Sequence, residues 1–159
     1  MHHQSTGHAP VIDVRVKYLH RVWRETPPAP ATDHSAGMDL RACIDEALTI
    51  PPGGRAKVPA GLAIDIQSPG VAGFVFSRSG LGAKDGLTVA QGVGLIDPDY
   101  RGEILVFLLN TSDAERTVTP GQRIAQLVFL PYYVARIAEC ETLSDTARGA
   151  GGFGHTGRD

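Results

Sequence analysis

No run of apolar residues in the 159-residue chain approaches the ~20 that a helix needs to cross a bilayer, so no membrane partner is expected. The opening "MHHQSTGHAP" has no apolar core of a secretory signal; a disordered arm over 1–10 and a cytoplasmic setting are expected. Cysteine is scarce. Cys43 and Cys140 lie far apart in sequence, and free buried thiols in a reducing compartment are the expectation. A basic excess is also missing. The formal net charge of -2 argues against general nucleic-acid binding, yet leaves room for a local phosphate site. There is no GxxxxGK[ST] phosphate loop, no HExxH and no paired CxxC, and Asp65 does not open a calcium loop. No Gly-x-Ser-x-Gly elbow occurs, although a Ser/His/Asp arrangement does not require one.

What is present is turn chemistry. The chain holds 19 Gly and 11 Pro, with turn signals at "PPGG" (51–54), "PAG" (59–61), "SPG" (68–70), "KDG" (84–86), "DPDYRG" (97–102) and "TPG" (119–121). Residues 11–18 alternate, with Ile12, Val14, Val16 and Tyr18 on one face, as in a half-buried strand. Short stretches rich in Val, Ile and Phe follow at 63–66, 73–76, 104–109 and 124–130. Many short strands at this spacing indicate one closed or sandwiched all-β domain. "ILVFLL" (104–109) is expected to be a strand buried on both faces, and "SGLGAK" (79–84) is the best candidate for a turn or two of helix.

Three polar clusters interrupt this pattern. In "FSRSG" (76–80), Arg78 and Ser79 sit between an apolar strand and a glycine. They fit a solvated surface turn, and equally an arginine fork and hydroxyl gripping phosphate oxygens. "GLIDPDYRGE" (94–103) sets Asp97, Asp99, Tyr100 and Arg101 between two apolar stretches. Such a segment is either an acidic turn or a carboxylate held where a general base works. "PGQRIAQL" (120–127) offers Arg123 and Gln126 at a strand start, where one polar face of a strand looks the same.

The chain ends in "RGAGGFGHTGRD", which has neither helix nor strand period. A slack terminus explains it; so does a flexible lid whose arginines, hydroxyl and single ring close over a planar, anionic ligand.

Taken in order, "AGMDLRA" (36–42), "SRSGLGAKDG" (77–86), "VGLIDPDYRGE" (93–103), "GQRIAQ" (121–126) and "RGAGGFGHTG" (148–157) resemble the five ordered motifs of the trimeric dUTPases, over nearly the whole chain. The resemblance implies an antiparallel, jelly-roll-like β-barrel or sandwich with very little helix. It implies residues 11–145 as the domain and 146–159 as a mobile C-terminal lid. The implied protein is a homotrimer with active sites at subunit contacts. It hydrolyses dUTP to dUMP and pyrophosphate with Mg²⁺, limiting uracil incorporation into DNA and supplying dUMP for dTMP synthesis.

By motif position, Asp97 matches the carboxylate that activates water, and Tyr100 the ring that packs against deoxyribose. Gln91, Val93, Gly94, Leu95 and Ile96 match the uracil hairpin. Arg78, Ser79, Gly80 and Gln126 match triphosphate contacts. Arg148 matches the γ-phosphate contact, Phe153 the ring covering uracil, and Gly154, His155 and Thr156 further tail contacts. The metal is implied to be held by triphosphate and waters, with Asp39 supporting that site indirectly. Three positions depart from the commoner family pattern: Ser77 for proline, Gln91 for asparagine, and His155 for serine.

Rival readings are a dCTP deaminase-type or bifunctional enzyme on the same fold, with Glu103 as its base, and a nucleotide-dependent regulatory binding protein. The tail as a Gly-Arg segment binding RNA is a weaker rival, since Arg148 and Arg158 are few and far apart.

Overall fold

The computed structural model describes residues 10–32 and 34–152. Among them the chain forms eleven strands and two short helices. The strands are β1 (Val14–Tyr18), β2 (Met38–Arg41), β3 (Leu48–Ile50), β4 (Arg55–Pro59), β5 (Leu62–Ile66), β6 (Val71–Ser77), β7 (Leu87–Val89), β8 (Gly94–Ile96), β9 (Leu105–Asn110), β10 (Arg116–Val118) and β11 (Arg123–Pro131). The helices are α1 (Val22–Glu25) and α2 (Ser79–Asp85).

Every pairing is antiparallel. The largest sheet runs β2-β11-β6-β8; β4-β9-β7 forms a second, and β1-β5 and β10-β3 form two-stranded ribbons. This is the expected antiparallel β architecture with little helix. The expected α2 forms; α1, which ends two residues before Pro27, was not anticipated.

Period-two alternation decides which side chains meet in the core. Leu40, Val75, Ala125 and Leu127 fill the inner face of the large sheet, while Val106 and Leu108 face them from β9. Trp23 caps this core and donates its Nε1 proton to the Ala60 carbonyl at 2.6 Å. The Cys43 thiol donates to the same carbonyl at 3.2 Å. Burial, helped by the negative charge of Glu103, pushes that thiol up from 9.0 to about 11, so it remains a donor at neutral pH. Asn110, fully buried at the end of β9, donates to the Ile50 and Ala114 carbonyls and accepts from Ser112, which leaves its amide satisfied.

Two expectations are corrected. The strand in 104–109 is buried on one face only: Leu105 and Phe107 are about two-fifths exposed, because no layer among the described residues covers the outside of β4-β9-β7. Both cysteines are free, but Cys140 is exposed; it falls within residues 131–150, all of them exposed.

Candidate active site

The outer face of the β2-β11-β6-β8 sheet carries the polar residues. Asp39 of β2 is the register partner of Gln126 in β11, and Gln126 is the partner of Phe76 in β6. Arg123 pairs with Arg41, two residues from Asp39. Residues 123 and 126 are three apart, which in a regular strand would put them on opposite faces. A β-bulge between Arg123 and Ala125 absorbs the extra residue and brings both to the Asp39 side.

Asp39 consequently holds two guanidiniums. Arg78 Nε donates to Oδ1 at 2.8 Å and Arg123 Nη1 to Oδ2 at 3.0 Å, with the carboxylate 16% exposed. Arg78 sits between the end of β6 and the start of α2, in extended conformation, so its side chain points back to the sheet and does not cap the helix. Ser79 and Gly80 open α2, and Gly80 lines an open cleft of about 390 Å³ together with Arg78, Lys84, Gln122 and Arg123. Two cations held by one carboxylate beside such a cleft can grip an oligophosphate. Arg123, not among the residues carried over from the resemblance, joins the cluster through the bulge.

The hairpin from β7 to β8 turns at Gly92, whose φ of +80° favours glycine. Its strands diverge, β7 pairing with β9 and β8 with β6. Ser77 Oγ accepts the Val89 N–H at 2.8 Å, tying the base of the hairpin to the end of β6. Val93 and Leu95 are exposed on the hairpin, Ile96 turns inward, and the Gln91 amide lies close to Gly94.

Beyond β8 comes the 97–100 turn, closed by Tyr100 N–H donating to the Asp97 carbonyl at 3.1 Å. The Tyr100 hydroxyl donates to the Glu103 carbonyl at 2.9 Å, and its ring lies over Gly102 so closely that a Cβ there would collide with it. Asp97 is exposed and, among the described residues, its carboxylate has no hydrogen bond or ion pair. Glu103 accepts the Gly61 N–H at 2.9 Å through Oε1.

Asp97 does not meet the arginine cluster within one chain. Gly73 pairs with Ile96, so the register sets Asp97 level with Ala72, and both border one small apolar cleft. From there to Arg78 is about 20 Å of β6 at roughly 3.3 Å per residue. Arg148 is exposed and donates its Nε proton to the Gly151 carbonyl at 2.9 Å, touching neither end. Phe153, Gly154, His155 and Thr156 lie outside the described residues, as do 1–9 of the expected arm. Among the described residues no three His, Cys, Asp or Glu side chains gather to hold a metal. No helix there is long and apolar enough to cross a membrane.

A sequence profile described as dUTPase matches residues 25–157. A Desulfitobacterium hafniense protein named deoxyuridine 5'-triphosphate nucleotidohydrolase is 48% identical over 146 residues, covering 92% of this chain and 97% of its own. A protein of the same name from Salmonella typhimurium is 48% identical over 139 residues, covering 87% and 92%. The structure of the Staphylococcus bacteriophage 80alpha dUTPase with dUpNHpp superposes with a TM-score of 0.80 at 25% identity, over 91% of this chain and 98% of that one. A phage phi11 dUTPase described with a structural Mg(II) ion shares the fold at a TM-score of 0.72 and 21% identity, covering 84% and 99%.

Proposed function

The chain belongs to the dUTPase family and is a dUTP diphosphatase, and from that premise we propose how its residues divide the work. The observation that carries the proposal is the Asp39–Arg78–Arg123 cluster beside an open cleft. Arg78 and Arg123, with Ser79, Gly80 and Gln126, bind the triphosphate. The Gln91–Ile96 hairpin reads the uracil edge, and Tyr100 excludes a 2′-hydroxyl. Asp97 orients a water in line with the α-phosphorus and takes its proton. The new P–O bond forms as the bond to the bridging oxygen breaks, giving dUMP and pyrophosphate.

Mg²⁺ bound to the triphosphate supplies charge neutralisation. The donor set fits a nucleotide-borne ion: Asp39 is already occupied by two arginines, and Mg²⁺ commonly takes phosphates and waters in place of a protein cage.

The separation of Asp97 from the arginines supports a site assembled from more than one copy of the chain, as in a homotrimer. So does the exposed 131–150 segment, where Tyr133, Val134, Ile137 and Leu143 are each at least 86% exposed, with nothing packed over them among the described residues. The C-terminal Arg148, Phe153, Gly154, His155 and Thr156 then close over bound nucleotide. Closure costs about 1–2 kcal/mol per ordered residue, which phosphate contacts must offset.

Pyrophosphate release from dUTP, dTTP, dCTP and UTP with Mg²⁺ tests this, comparing the full chain with a truncation after Ala147. Selective dUTP hydrolysis that falls by about 100-fold or more on truncation is expected. Unchanged turnover by the truncated chain would remove the lid, and ammonia release from dCTP would move the assignment to a deaminase.

A further inference from the structure

The 97–100 turn carries the proposed base, yet it is exposed and short, and its one internal hydrogen bond, Tyr100 N–H to the Asp97 carbonyl, fixes only its own curvature. Among the described residues, one ion pair links its flank to a strand distant in sequence. Arg101 Nη1 donates to the Pro98 carbonyl at 2.6 Å and to the Tyr100 carbonyl at 3.1 Å, gripping the turn from beneath. Its other terminal nitrogen, Nη2, lies 2.5 Å from Oδ1 of Asp65, the penultimate residue of β5. That oxygen is buried and has no hydrogen-bond partner among the described residues, so the Arg101 charge beside it is an ion-pair contact and its one compensation there. Arg15, the register partner of Asp65 across β1, forms no ion pair with it there. Lys17, which borders one cleft with Asp65 and Arg101, forms none either.

We propose that Asp65 and Arg101 are a positioning pair for hydrolysis: the carboxylate fixes the guanidinium, and the guanidinium fixes the backbone that presents Asp97. The pair rests on the assignment of Asp97 as the base. It touches no substrate and acts through two carbonyls. A planar guanidinium suits this task because its fork spans a carboxylate and two carbonyls at once, which a lysine ammonium does not do in one plane. An in-line attack tolerates little displacement of the group that orients the water, so a turn free to shift by about 1 Å loses rate on the order of 100-fold while nucleotide binding survives.

The test uses the full chain and four variants: Asp65→Asn, Asp65→Glu, Arg101→Gln and the Asp65→Asn/Arg101→Gln double. The readouts are kcat and KM for dUTP with Mg²⁺, and affinity for dUpNHpp. Asp65→Asn is isosteric and leaves the β5 ladder intact. Each neutralised single variant is expected to lose about 10–100-fold in kcat, with KM and analogue affinity within about threefold of the parent. The double variant should be no slower than the worse single one, as for residues acting as a unit. Asp65→Glu should recover part of the loss.

Parent-like kcat in Asp65→Asn overturns the proposal, as does a loss confined to KM or a double variant whose losses multiply. Asp97→Asn, run alongside, separates this failure from that of the wider mechanism. If it is inactive while the pair variants are parent-like, only the positioning role falls. If it turns over normally, the base assignment and the pair fall together.

Discussion

At one end of the large sheet's outer face, Asp39 is mostly buried and already holds Arg78 and Arg123. At the other, Asp97 is exposed and contacts neither. The first arrangement suits binding. Its charges are fixed before ligand arrives, so little reorganisation is needed when a triphosphate replaces water around the two guanidiniums. The second suits proton transfer. A carboxylate with no cationic partner among the described residues leaves its oxygens open, and a water can approach it. Preassembly is thus strong at the proposed phosphate-binding end and absent at the proposed base.

The largest expected effect tests this division at its catalytic end. Asp97→Asn should fold and bind dUpNHpp normally while kcat falls by about 10²–10⁴, the usual worth of general-base assistance. Calorimetric binding beside steady-state turnover checks both halves; weakened binding with preserved kcat would assign Asp97 to the wrong end. Asp39→Asn tests the binding end. It removes the charge holding two guanidiniums, each charge-assisted bond being worth about 1.5–3 kcal/mol. kcat/KM for dUTP should fall by about 10–100-fold, mainly through KM, and a kcat-dominated loss would overturn the division.

Local signals made part of this legible. β5, β6, β9 and β11 each contain a Val-, Ile- or Phe-rich stretch bounded by turn residues, and α2 begins where "SGLGAK" suggested. The strands β3, β7, β8 and β10 are three residues long and owe their geometry to partners distant in sequence, so no local period marks them. The same limit applied within the site. Arg78, Gln126 and Asp39 could be named from their motifs, but strict alternation would have separated Arg123 from Gln126, and only the bulge reunites them. The Arg101–Asp65 contact joins two segments with nothing in either to announce the other. Leu105 and Phe107 read as core because composition cannot say which face of a strand another layer will cover.

A smaller effect sharpens the Asp97 end. Tyr100 keeps its place because Gly102 leaves room for the ring. Gly102→Ala should displace the ring and erode discrimination between dUTP and UTP by about tenfold, the scale at which a pocket senses one small group. The ratio of kcat/KM for the two nucleotides is the measurement. An unchanged ratio would take Tyr100 out of sugar selection.

The smallest effect concerns the link between the two ends. Ser77 stands next to Arg78, where the commoner family residue is proline, and its hydroxyl oxygen accepts the Val89 N–H at the base of the hairpin. A proline there offers no such acceptor, so in this chain a side-chain hydrogen bond ties the hairpin proposed to read the base to the end of β6, next to Arg78. Ser77→Ala leaves the Val89 N–H, at a buried residue, without its partner, at a cost of about 1 kcal/mol. Thermal unfolding should show that loss as a shift of about 2–4 °C. Selectivity for dUTP over dTTP should weaken while the triphosphate contacts, anchored through Asp39, keep their strength. A variant that unfolds earlier but discriminates as well would show that the hairpin holds its shape through its strand ladders alone, and the two ends would then be mechanically independent.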